Sequence, residues 1–124
     1  MREYFSYEFD NITRILYKYY FGMITVEDII HSWQYAFQNQ LIPVNVKGFI
    51  LDYRGAHFDI EIDENRTIAT FYKKNTSIFG NFKFAIITVD PKDITVPVLV
   101  AFEDDGYYSK PFSTVEAALS WILE

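Results

Sequence analysis

Two short runs, Phe49-Ile50-Leu51-Asp52-Tyr53 and Phe84-Ala85-Ile86-Ile87-Thr88-Val89, constrain this chain more than any other feature. Each is almost continuously apolar and rich in aromatic and branched residues. A run of that kind suits a strand buried on both faces, the condition of a parallel sheet covered by helices. Lys47-Gly48 leads into the first run and Arg54-Gly55 ends it, while Asp90-Pro91 stops the second.

The remaining segments supply the cover. From Tyr4 to Phe9 polar and apolar residues alternate, and Asp10-Asn11 follows as a turn signal. Ile12 to Phe21 has Ile15, Tyr17, Tyr19 and Phe21 on one face and Arg14, Leu16, Lys18 and Tyr20 on the other. Period two over both segments predicts an opening antiparallel hairpin, and the mixed second face suits a sheet side only partly covered. Thr25-Val26-Glu27-Asp28 reads as a capping box with Asp in its last place. Ile29, Ile30, Trp33, Ala36 and Phe37 then predict an amphipathic helix over about 26–40, closed by Pro43. Asp63 is the expected cap of a helix carrying Ile68, Ala69, Phe71 and Tyr72 to about Asn75. Ile94 to Phe102 fits a strand by its branched residues and a helix by the spacing of Val96, Leu99, Val100 and Glu103. A helix capped by Thr95, with Pro97 in its first turn, alternates with the strands on either side. Tyr107 to Phe112 contains Pro111 and reads as an edge strand. Ser113-Thr114-Val115-Glu116 is a capping box with Ser113 as N-cap, opening a final helix with Ala117, Ala118, Trp121 and Ile122 on its apolar side. The order is β-β-α-β-α-β-α-β-α. It predicts one α/β domain over residues 1–124: a mixed sheet of about five strands, an antiparallel hairpin followed by parallel crossovers, with about four helices.

Charge and composition narrow the function classes. Seventeen acidic and eleven basic residues give a net charge of −6, and the longest basic run is Lys73-Lys74. Phosphate backbones and anionic bilayers are repelled by such a balance, so neither nucleic acid nor membrane insertion is expected. The chain has no cysteine, hence no disulfide and no thiolate metal site. Its longest apolar stretch, Ile94 to Phe102, falls well short of the roughly 20 residues of a membrane span. Met1 to Glu8 lacks the apolar core of a signal peptide, and a cytoplasmic location is the expectation.

Three segments together resemble the SpoIIAA-like branch of the STAS-like (sulphate transporter and anti-sigma antagonist) superfamily. They are Gly48-Phe49-Ile50-Leu51-Asp52-Tyr53-Arg54-Gly55, Lys83-Phe84-Ala85-Ile86-Ile87, and the closing run from Phe112 to Ile122 with its capping box, paired alanines and late Trp121. The resemblance implies a four- to five-stranded sheet with helices packed on it. In anti-sigma antagonists the loop after the central strand leads to a phosphorylatable Ser. The matching stretch here has Asp59 followed by Ile60 and Glu61, so the phosphate acceptor does not carry over.

The segment from Asp52 to Glu61 is the first place to look for a site, because ligands of open α/β sheets lie beyond the carboxyl ends of the strands. It gathers Asp52, Arg54, His57, Asp59 and Glu61 within ten residues. One account is a metal or small-anion site with His57 and Asp59 as ligands. The plainer account, a polar loop in which Asp52 caps backbone amides and pairs with Arg54, is preferred, because two histidines and no ligand-spacing motif argue against a metal. His31 reads as a helix residue and Glu103-Asp104-Asp105 as a solvated element end. No catalytic constellation and no cofactor motif is found. Two functional expectations follow. The first is a non-catalytic interaction or regulatory module whose protein partner uses the stretch from His57 to Glu61 and the next helix, with Glu61 as a fixed negative charge. The second is a carrier or sensor of an apolar small molecule, covered by Leu16 and Tyr20 on the less covered sheet face. A homodimer is compatible with both.

Overall fold

The computed structural model describes residues 3–124; Met1 and Arg2, the start of the segment read for a signal peptide, lie outside the described residues. Five strands form one sheet among those residues, in the order β1-β2-β3-β4-β5. They are β1 (Phe5–Asp10), β2 (Ile15–Ile24), β3 (Gly48–Phe58), β4 (Lys83–Ile87) and β5 (Tyr108–Phe112). β1 runs antiparallel to β2, and every other pairing is parallel. The two apolar runs are neighbours in mid-sheet, in register from Gly48↔Lys83 to Asp52↔Ile87. The helices are α1 (Val26–Gln38), α2 (Asn65–Lys74), α3 (Thr76–Phe79), α4 (Thr95–Ala101) and α5 (Val115–Leu123).

The faces are covered unequally. Side chains of α1, α2, α3 and α4 pack on one face with Leu16, Tyr20, Phe49, Leu51 and Phe84. On the other face α5 alone brings Ala118 and Ile122 onto Ile15, Ile50, Ala85 and Ile87. Trp33 is wholly buried at the centre of the larger core, edge-on to Phe49, Phe79 and Phe84, and its Nε1 donates to Tyr72 Oη at 2.9 Å. Burying such rings supplies about 150–250 Å² each. Gly48 lets α5 approach closely: a Cβ there would stand 2.6 Å from Ile122 Cγ2.

Several expectations are corrected. The mixed face of β2 is the buried one: Leu16, Lys18 and Tyr20 are inside, while Tyr17 and Tyr19 are half-buried and Phe21 is exposed on the opposite face. The contact or ligand cover assigned to Leu16 and Tyr20 is therefore not on the surface. Lys18 is tolerated because Trp33, Tyr20 and Tyr7 enclose its Nζ, at 3.7, 4.7 and 5.3 Å from their ring centroids, and Ser32 Oγ accepts from it. β2 begins at Ile15, not Ile12, since Asp10 accepts from the Ile12 amide and the Thr13 hydroxyl to close a turn. α1 ends at Gln38, before Pro43 is reached. The capping box of Thr25 and Asp28 forms as expected. α5 is capped by Thr114, whose hydroxyl accepts from the Ala117 amide, in place of Ser113. α2 follows a 3-10 turn over Ile62–Glu64, where Glu64 and not Asp63 makes the local contact, accepting from the Glu61 amide. α4 forms as expected, but it begins at Thr95, so that residue is not its side-chain cap. α3 is a helix that sequence periodicity missed.

Candidate functional site

β3 does not end at Arg54-Gly55. It continues to Phe58, still paired with β2 through Phe21↔Gly55 and Ile24↔Phe58, after β4 has stopped opposite Asp52. A two-stranded ribbon thus projects past the body of the sheet at the carboxyl ends of the parallel strands. The Asp59 amide donates to Ile24 on β2, so the alternate amides of β3 face the side that β4 has vacated. Two carboxylates serve there. Asp52 Oδ1 accepts from the Arg54 amide at 3.0 Å, and Asp93 Oδ1 accepts from the Phe58 amide at 3.0 Å. Both carboxylates satisfy backbone donors that a neighbouring strand would otherwise have taken.

The five residues singled out from sequence divide accordingly. Asp52 is buried in mid-strand and holds the Arg54 guanidinium through Nε and Nη2, the latter at 2.6 Å; Arg54's cationic form is favoured by that pairing. This is the backbone-capping, ion-paired arrangement preferred above. Arg54 then borders an open depression with Glu8, Tyr17, Tyr19 and Val115, on the α5 face of the sheet beside the first residue of α5. His57 turns to the connection between β4 and α4, where its Nδ1 lies 2.8 Å from Asp93 Oδ2 and 3.8 Å from Asp90 Oδ2. Those three residues have convergent ligand-type atoms, and Asp59 is not among them. Asp59 and Glu61 are exposed on the connection to α2. The structure therefore brings together Asp52 with Arg54, and His57 with Asp90 and Asp93, and leaves Asp59 and Glu61 apart from both.

Sequence reasoning missed the apolar part of this end. Among the described residues eleven large apolar side chains are exposed, and five of them lie here: Phe21 and Met23 on β2, Ile62 before α2, and Val89 and Ile94 between β4 and α4, at 44 to 74% exposure. Phe21 lies across Gly55 of the partner strand; a Cβ on Gly55 would meet its ring at 3.3 Å. The one sequence signal for this patch was Phe21 continuing the outer face of β2 past the end of the core. Beneath, between the sheet and α2 and α4, an apolar cavity of about 30 Å³ is lined by Tyr53, Phe58, Ile68, Ile86, Val96 and Pro97. That volume holds a water or two, far below the roughly 300–1,000 Å³ of a small-molecule pocket.

Neither a family model nor a curated protein matches the chain. Among solved structures, an uncharacterised protein of the DUF3478 family from Shewanella loihica PV-4, with a SpoIIAA-like fold, superposes on 98% of this chain and 97% of its own. The TM-score is 0.64 at 15% sequence identity, a likeness of fold alone. The expected fold is thereby shown: a SpoIIAA-like α/β arrangement with a mixed five-stranded sheet among the described residues. No helix among those residues is long and apolar enough to cross a membrane.

Proposed function

We propose that this SpoIIAA-like domain is a non-catalytic interaction module that receives a protein partner on the carboxyl-end rim of its sheet. The observation that carries this is the gathering of Phe21, Met23, Ile62, Val89 and Ile94 at one end, in three segments that meet only through the fold. Exposed apolar side chains scattered singly need no explanation, whereas a group of them at the carboxyl ends of parallel strands marks a recognition surface. Asp52, Arg54, His57, Asp90 and Asp93 act there as scaffold: they fix the projecting ribbon and its neighbouring connection in one shape, so that a partner meets a formed surface.

The test is affinity capture by the native protein and two variants, followed by reconstitution with the purified partner. The Met23→Ser/Ile62→Ser double variant removes apolar surface from the rim without touching the core, and its affinity is expected to fall at least tenfold. Val44→Ser, at the opposite end, leaves affinity unchanged. A partner that ignores the rim variant and responds to Val44→Ser would overturn the proposal, as would self-association through the rim, seen by light scattering as a dimer that the double variant abolishes.

A further inference from the structure

We infer that the partner of this rim is a protein surface with an apolar centre and a basic margin. The inference rests on the rim reading and adds the charge that surrounds it. The four segments leaving the carboxyl ends, 21–28, 55–66, 88–95 and 113–116, hold nine carboxylates against two cationic side chains, Arg66 and Lys92. The whole chain has seventeen against eleven, so over half of its acids and under a fifth of its bases sit here. Elsewhere the two signs nearly balance. Lys92 is itself 3.9 Å from Asp90 and contributes little net charge.

Part of this acidity has a local cause. Glu27 and Asp28 occupy the first turn of α1 and Glu116 that of α5, where the helix dipole favours a negative charge. Asp59 does not: it is exposed on the connection after β3, ahead of any helical turn, while Glu61, exposed as well, stands at the N-cap of the 3-10 turn that begins at Ile62. Asp90, half-buried before α4 and beside Val89, is paired with Lys92, so those two together add no net charge. Exposed apolar side chains interspersed with carboxylates in this way exclude anionic partners by repulsion and attract a basic one from a distance. Exposed ion pairs each add little, so affinity comes from the apolar centre and choice of partner from the margin.

Titration of the isotopically labelled protein with synthetic amphipathic peptides tests this directly. Three share one pattern of leucines and carry lysine, glutamate or glutamine at the polar positions; a fourth carries lysine with serine in place of leucine. The lysine–leucine peptide is expected to shift amides of 21–28, 55–65 and 88–95, at least tenfold more tightly than the glutamate–leucine peptide. That preference weakens with added salt and is reduced by Asp59→Lys/Glu61→Lys, whose far-ultraviolet dichroism and thermal midpoint serve as the folding control. The lysine–serine peptide is expected not to saturate the rim. Equal binding of the three leucine peptides, or shifts centred on Val44, would sink the inference. The two proposals fail separately. A captured partner that is lost with Met23→Ser/Ile62→Ser but indifferent to Asp59→Lys/Glu61→Lys and to salt retires the basic margin alone. One indifferent to all four substitutions retires the rim as well.

Discussion

Lys18 is the residue whose environment departs furthest from its chemistry. It is wholly buried among Tyr7, Tyr20 and Trp33, with a serine hydroxyl as its hydrogen-bond partner. Burial holds its pKa well below the ordinary lysine value of 10.5, because an ammonium loses its hydration there. The groups around it do not restore the charge: Tyr7, Tyr20, Tyr53 and Tyr72 all have pKa values raised by burial and stay neutral. The sign follows by linkage. Between the lowered folded pKa and 10.5 the unfolded chain binds the extra proton, so stability rises with pH across that interval and is lost as pH falls through it. Lys18→Met is therefore expected to stabilise the protein and to flatten this slope, with the advantage largest at acidic pH and shrinking toward pH 9. Urea unfolding from pH 5 to 9 measures it, below the range in which the tyrosines contribute; a variant curve parallel to wild type would refute the neutral-lysine account. In sequence, Lys18 between Tyr17 and Tyr19 reads as the solvent side of a strand, because alternation gives the two faces but not which of them the helices cover.

Among the elements, α5 has the hardest task, since it alone covers its face of the sheet. Its approach depends on Gly48, at the start of β3, where an added Cβ would lie 2.6 Å from Ile122 Cγ2 and 3.3 Å from the Lys83 carbonyl oxygen. Gly48→Ala is expected to destabilise by about 1–3 kcal/mol through overpacking. Gly48→Ala combined with Ile122→Ala, which removes the Cγ2 methyl, should cost less than the sum of the two single losses, and thermal unfolding of the three variants decides it; additive losses would show that the strand backbone, and not the α5 contact, is the cause. The capping box of α1 was legible because Thr25 and Asp28 act within one turn. The end of β3 was not legible: Arg54-Gly55 is a sound turn signal, overridden because β2 continues to pair with the strand as far as Phe58. The same override hid the role of Asp93, which lies 35 residues from the Phe58 amide it accepts from.

Across the whole molecule, contacts are densest in the middle of the sheet and thin toward the ribbon. β3 has strand partners on both sides from Gly48 to Asp52 and on the β2 side from Gly55 to Phe58. Native-state hydrogen exchange is expected to reflect this, with amides of 49–52 and 84–87 opening only on global unfolding and those of 55–58 opening earlier, by a margin of about 1–3 kcal/mol. Equal protection throughout β3 would mean that the ribbon is as firmly held as the core, leaving Asp52 and Asp93 a smaller part in fixing it. By itself the sequence determined the class of fold: two apolar runs require cover on both faces, and the amphipathic segments between them provide it. Periodicity and capping are local, so they are readable along the chain. Tertiary structure alone decided which face of β2 lies inside, that His57 meets Asp93, and that Phe21, Met23, Ile62, Val89 and Ile94 come to one end. Each depends on contacts between segments far apart in sequence, whose choice is set by competition for burial across the whole chain and not by the residues of any one segment.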